Sequence, residues 1–299
     1  METLKYKALL AAVDTGSFRA AGEQLGYTPA AIFNMVNSVE NDLGIAILKR
    51  GHFGVELSTC GEELISQIRD VVRVDDTLKG KALDITGLVS GKVSIGAYFS
   101  ISAHFLPEVF SIFHSDFPNV EIDLHEGGYQ SLEKMRKESL FDFCITASGE
   151  NKDMDWIPLF DDEMFAVVPP GHRFESLTSI NIEDCLKEDF IMPANGKDHD
   201  VEKLFGEYFG RLNICFKTME NYSTLAMVEK GMGISVMNSL ITKRLNFRVK
   251  YVPFQPREFI HFGISIPSLK MASPAAKKMV AYIIDQADRF VLSHPGEPK

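Results

Sequence analysis

Three glycines divide the first 44 residues into helices too short to stand alone. Gly16, Gly26 and Gly44 each follow a run with apolar residues at helical spacing, and each is placed to end a helix in the left-handed conformation. Ser17 and Thr28 stand at the following helix starts, where a side-chain oxygen can accept from free N–H groups. Pro29 comes directly after Thr28, a position where its missing N–H would be an orphan anyway. The pattern predicts a first helix over about 4–13, with Tyr6, Leu9, Leu10 and Val13 inward, and a second from Ser17 through Leu25. On the third helix Ile32, Val36, Val39 and Leu43 follow at 4, 3, 4 spacing and point to the same core. Such short helices are marginal in water and must pack together, which gives a three-helix helix-turn-helix. "IAILKRGHFGVEL" then reads as two short strands about a tip from Gly51 to Gly54, a wing.

From Ser58 the period changes. Thr59 with Glu62 three residues later has capping-box spacing. Along the helix it opens, Leu64, Ile68, Val71, Asp75, Leu78, Ala82 and Ile85 stand at 4, 3, 4, 3, 4, 3, a heptad seam with one polar member. A seam this narrow calls for a second helix against it; the alternative is packing on the chain's own domain. Asp75 is costly in a dry seam and calls for an opening or a basic partner. "GLVSG" at 87–91 reads as a hinge, and beyond it strands and helices alternate, in two similar runs. That alternation means parallel sheets flanked by helices, arranged as two lobes with a cleft at the carboxyl ends of the strands.

Charge and cysteine content narrow the function. The net charge of −10 argues against general coating of nucleic acid or anionic membrane. Residues 1–60 carry five Lys or Arg against six Asp or Glu, less acidic than the remainder but not basic. No apolar run reaches the roughly 18 residues of a membrane span, and no signal peptide pattern opens the chain, so the expectation is a cytoplasmic protein without membrane contact. Cys60, Cys144, Cys185 and Cys215 are widely spaced and suit reduced thiols.

At this point the chain resembles the LysR-type transcriptional regulators. The resemblance is carried by "GSFRAAGEQLGYTPAAIFNMVNSVENDLGIAILKR", by "LSTCG" opening the long helix, and then in order by "VSIGA", "LPEVFSIFHSDFPNVEIDLHEG", "FDFCI", "FAVVPPGH" and "MVEKGMGISVM". It implies an N-terminal all-α winged helix-turn-helix (1–58), a linker and dimerisation helix (59–87) and a hinge (88–91). A two-lobed α/β effector domain (92–299), like the type 2 periplasmic binding proteins, completes the plan. Lobe I would take about 92–161 and 267–292, and lobe II about 162–266. The resemblance further implies homodimers, usually joined into tetramers, that bind double-stranded DNA and answer a small-molecule effector; RNA polymerase is a further candidate partner. Dimerisation falls to Leu64, Ile68, Val71, Leu78 and Ile85. No cofactor or metal is expected. Where the family commonly begins its third helix Ser-Gln-Pro-Ala, this chain has Thr28, Pro29, Ala30 and Ala31; Phe33 replaces a usual Ser and Asn34 a frequent basic residue.

The third helix therefore lacks Lys and Arg and carries Glu40 and Asp42. Its outer face holds Ala30, Phe33, Asn34, Asn37 and Asn41. Asn can bond adenine N6 and N7 bidentately, and Ala or Phe can touch the thymine methyl, so A·T pairs in an inverted repeat are the natural target. Phe33 has an equal alternative, packing on a neighbouring helix. Grip on phosphate falls to Lys5 or Lys7, Arg19, Lys49, Arg50 and His52, with Ser17 and Thr28 hydroxyls and helix N-termini.

For the effector, Ser100 and Ser102 follow strand "VSIGAY" and suit an anion, although Ser102 could simply cap its helix. Gly128, Tyr129, Gln130 and Thr146 from lobe I, and Asn195, Gly196, Lys197, Tyr222 and Ser223 from lobe II, complete the expected cleft. Lys197 is the cation for an acidic ligand, or a solvated surface side chain. Tyr98, Phe99, Tyr129 and Tyr222 hint at a ring-bearing effector or belong to the core. His199 between Asp198 and Asp200 lacks a second ligand pair and reads as surface loop; His172 in "PPGHRF" reads as a turn. Cys185 and Cys215 read as inert core thiols rather than a redox pair. No nucleophile elbow, P-loop or dinucleotide fingerprint is present, which disfavours an enzyme. The rival reading is a solute-binding dimer with degenerate DNA recognition, to which the absence of positive charge on the third helix points.

Overall fold

A computed structural model describes residues 2–51, 54–85, 90–147, 153–242 and 246–293. The N-terminal part holds α1 (Glu2–Thr15), α2 (Phe18–Leu25) and α3 (Pro29–Leu43), then the antiparallel wing strands β1 (Leu48–Gly51) and β2 (Gly54–Leu57). Gly26 and Gly44 close their helices at φ 74° and 72°, in the left-handed region that the glycine pattern requires. Leu9, Ala12, Ala21, Ile32, Val36, Val39 and Ile47 share one buried core. Leu43, expected in it, is 44% exposed, because it sits on the last turn of α3, a full turn past Val39.

The long helix α4 (Thr59–Ile85) divides its seam between two environments. Ile65 and Ile68 are buried in the N-terminal core and Leu64 packs against it, so this stretch covers its own domain rather than waiting for a partner. Ion pairs fix the docking: Arg69 to Asp14 at 2.5 Å and Lys7 to Asp76 at 2.7 Å. Further along, Val71 and Leu78 are 46% and 67% exposed, and this is where the seam lies open. Asp75 meets the basic partner it required in Lys79, one turn along the same helix, which lowers its pKa. Ile85 is helical but its side chain is outside the described residues, as are Leu88 and Val89 of the hinge.

The effector domain opens with β3 (Gly91–Ala97), α5 (Phe99–His104), α6 (Leu106–Asp116), β4 (Val120–Glu126), α7 (Tyr129–Lys137) and β5 (Phe143–Ala147). β6 (Asp155–Val168) leads to the second lobe with β7 (Asp189–Met192), α8 (His199–Phe205), β8 (Asn213–Lys217), α9 (Asn221–Glu229), β9 (Ser235–Asn238), α10 (Ser239–Thr242) and β10 (Lys250–Pro253). β11 (Phe259–Ile266) returns, and α11 (Pro274–Ser293) packs back on the first lobe, Phe290 against Phe105 and Phe160.

The main sheet runs β10-β6-β11-β5-β3-β4, with β9 also on β6. β3 is parallel to β4 and β5, and β7 to β8, as the alternating pattern predicts. β6 and β11 depart from it: they pair antiparallel with each other, and β11 with β5. The departure follows from connectivity, since a chain that leaves one lobe on β6 and comes back on β11 must reverse direction. β11 pairs along its length with residues 155–163 of β6, which puts 259–266 in the first lobe and the return crossing at Phe259. Among the described residues no helix is long and apolar enough to cross a membrane.

Candidate functional site

At the N-terminal face, Ser17 accepts from the N–H of Arg19 and Ala20, and Thr28 accepts from the N–H of Ala31 at 3.2 Å. Both caps fix where their helices begin, so the exposed Thr28, Pro29, Ala30, Asn34 and Asn41 share the outer side of α3 while Asn37 is half-buried. Phe33 lies edge-on to Phe18, ring centres 5.7 Å apart and half-buried, which is the helix-packing alternative. The two acids of α3 are both engaged. Glu40 accepts from the backbone N–H of Ile47 at 2.7 Å and of Leu48 at 2.9 Å, pinning the wing. Asp42 pairs with Lys5, which also donates to Ser38. Lys5 and Lys7 therefore serve internal contacts, and Arg19 pairs with Glu23 at the surface. Lys49 is exposed on β1; the side chain of Arg50 and all of His52 lie outside the described residues.

Between the lobes lies a cavity of about 370 Å³. Ser100 at the start of α5, Gly128, Tyr129 and Gln130 at the start of α7, and Lys197 before α8 line it, together with Tyr98 and Phe99. Five expected residues do not, among them Ser223, which is exposed on α9. Ser102 lies inside α5 rather than at its cap, and its Oγ donates back to the Tyr98 carbonyl at 3.1 Å. Thr146 is buried in β5 and its Oγ1 donates to the Ala147 carbonyl. Gly196 lies under the Lys217 side chain. Tyr222 is 65% exposed and packs on Phe247 outside the cavity. Only the backbone of Asn195 is described.

What sequence reasoning missed is the acidic character of the second-lobe wall. Asp198, His199 and Asp200 all line the cavity, so this stretch is not a surface loop. Asp198 is the N-cap of α8 and accepts from the N–H of Asp200 and Val201, both at 3.1 Å. Burial and the neighbouring Asp198 charge push the Asp200 carboxyl up to about 7. Burial also drives the Tyr98 hydroxyl well above its usual range, with Asp200 and Asp198 adding to it. The rings of Tyr129 and His199 stack at 4.0 Å and 14° across the cleft. A cap residue followed by a helical pattern, "KDHDVEKLF", was the signal available for Asp198.

Residues 86–288 match the LysR substrate binding domain, and residues 5–62 the bacterial regulatory helix-turn-helix protein, lysR family. The chain belongs to the LysR family. It is thus a DNA-binding transcriptional regulator with an effector-binding domain, and not an enzyme. It is similar to the uncharacterized HTH-type transcriptional regulator YvbU of Bacillus subtilis (strain 168), 25% identical over 283 residues that cover 94% of this chain and 97% of the relative. It is 24% identical to the DNA-binding transcriptional dual regulator OxyR of Escherichia coli (strain K12), over 82% of each chain. A solved full-length OxyR variant from Pseudomonas aeruginosa shares the fold with a TM-score of 0.76 at 20% identity, covering 96% of this chain and 94% of that one.

The cysteines of this LysR-family chain are all free thiols. Burial pushes Cys144 and Cys185 up to about 12. Cys215 is exposed on β8, not in the core as expected, and donates to Asp189, which raises its pKa. Neither Cys185 nor Cys215 is held as a thiolate. His172 accepts from the N–H of Phe174 within its turn and faces Glu188 at 3.2 Å.

Proposed function

We propose that this LysR-family regulator reads an A·T-rich inverted repeat through the amides of α3 and changes its DNA binding when a small molecule enters the interlobe cleft. The observation that carries the reading is the division of labour on α3: Asn34 is exposed beside Ala30, whereas Glu40 and Asp42 are taken up by the wing and by Lys5. An uncharged amide face hydrogen-bonds base edges, and the wing lysine Lys49 supplies attraction to phosphate. The repeat follows from a two-fold dimer joined along the open stretch of α4, with tetramers formed from such pairs. The regulator works in the cytoplasm, and contact with RNA polymerase follows where it activates.

The anion anticipated for the cleft meets one cation, Lys197, exposed at its rim, against the carboxylates of Glu126, Asp198, Asp200 and Glu220. That balance disfavours an anionic head group. Selection of bound duplexes from a random pool, with Asn34→Ala in parallel, tests the DNA reading. An interrupted A·T-rich inverted repeat that blurs at one position per half-site in the variant supports it. G·C dominance at every half-site position, or no enrichment at low salt, would sink it and move the solute-binding dimer ahead.

A further inference from the structure

We infer that the cleft takes a small organic cation, an ammonium head seated between Asp200 and Tyr98 with an apolar body lying against the first and second lobes. This deepens the effector reading above and rests on it. The Tyr98 hydroxyl is buried at the cavity wall without a protein partner at full hydrogen-bond geometry, and the Asp200 carboxylate is close enough to interact with it. A buried polar group with incomplete hydrogen bonding is costly, and a ligand donor that completes it is favoured. An ammonium has three donors: it can give one to the Tyr98 oxygen and others to Asp200 in the same geometry.

The neighbouring carboxylate does not compete for this role. Asp198 spends its Oδ1 on the two N–H groups at the start of α8, so it supplies charge rather than a free pair of acceptor oxygens. Two carboxylates two residues apart, both largely withdrawn from water, repel, and a bound cation relieves that repulsion. Lys203, on the same helix, lowers Asp200 without restoring it to the ordinary carboxylate range. An anionic head would meet the same pair with the opposite sign.

The rest of the cavity suits an apolar body. Met164, Val236 and Ile260 line it, and the parallel rings of Tyr129 and His199 form a flat side. Its volume of about 370 Å³ is that of a pocket for one small molecule. Aromatic faces next to a cation site add attraction of their own.

The test uses three probes with one apolar body and different heads: 2-phenylethylamine, 2-phenylethanol and phenylacetate, titrated calorimetrically into the full chain. The amine is expected to bind about tenfold tighter than the alcohol, the scale of one charge-assisted hydrogen bond, and phenylacetate weakest. Asp200→Asn should abolish that preference, bringing the amine down to the affinity of the alcohol. Tyr98→Phe, which keeps the ring, should weaken the amine alone by about threefold. Because Asp200 ionises near neutrality, amine binding should tighten between about pH 6 and pH 8, as the carboxyl loses its proton. Asp198, Tyr98, His199, Tyr129 and Lys203 surround the group and remain in place in this comparison. Phenylacetate binding as tightly as the amine would overturn the cationic class and leave the cleft as the effector site. No binding of any probe by a chain that still binds its operator would overturn both readings. Amine binding that survives in Asp200→Asn would mean an adventitious additive only.

Discussion

Glu40 sits on the helix that faces DNA, yet its carboxylate is turned to the backbone of the wing, accepting from Ile47 and Leu48. Two backbone amides, that of Leu48 in β1 and that of Ile47 just before it, thus depend on one side chain. Glu40→Ala is expected to cost about 1–3 kcal/mol, the usual penalty for stranding donors of a charged acceptor, and to weaken operator binding beyond what stability explains. Thermal denaturation and a mobility-shift titration check the two halves separately. From the sequence alone Glu40 reads as a charge that should repel phosphate; the bond to a strand seven residues away has no local signature. The caps were legible by contrast, because Ser17 and Thr28 act on amides within three residues of themselves. In the cleft the same rule holds. Ser100 and Tyr129, next to strand ends, were found, whereas Asp200 needs the second lobe folded against Tyr98 before its environment exists.

Among the elements, α4 shows how one periodic stripe can serve two partners. Its first turns belong to the core of the N-terminal part, with Ile68 5% exposed, and its later turns leave Val71, Val74 and Leu78 open. Spacing gave the helix and the stripe but not the point at which the neighbour changes, since a heptad looks alike against any apolar surface. Leu78→Glu is expected to shift the chain from dimer toward monomer in sedimentation with little change in Tm. Ile68→Ala should instead cost about 2–5 kcal/mol in stability, as a core truncation does. Equal effects of the two on dimerisation would refute the division. The β6–β11 pair was the other element only partly legible: the residues read as strands, but direction is set by the chain's return, which no short window contains.

For the molecule as a whole, the charge of −10 and the internal pairing of Lys5 and Lys7 leave few cations for DNA. Operator affinity should accordingly fall with salt at a log–log slope no steeper than about −5 for a dimer, each neutralised phosphate contributing about −0.9. Filter binding over a series of salt concentrations checks it; a slope near −10 would mean that cations from elsewhere in the chain reach the duplex. Consider finally the flat contact between Tyr129 and His199, one ring from each lobe. At the back the lobes are joined by continuous strands, and across the cleft this pair of rings meets beside Tyr98 and Asp200, so the cleft is built like a clasp rather than an open bowl. A visitor that fills the cavity lies against these rings and can replace either face with its own. The signal passed to DNA would then begin not with domain closure but with the release of a catch already shut.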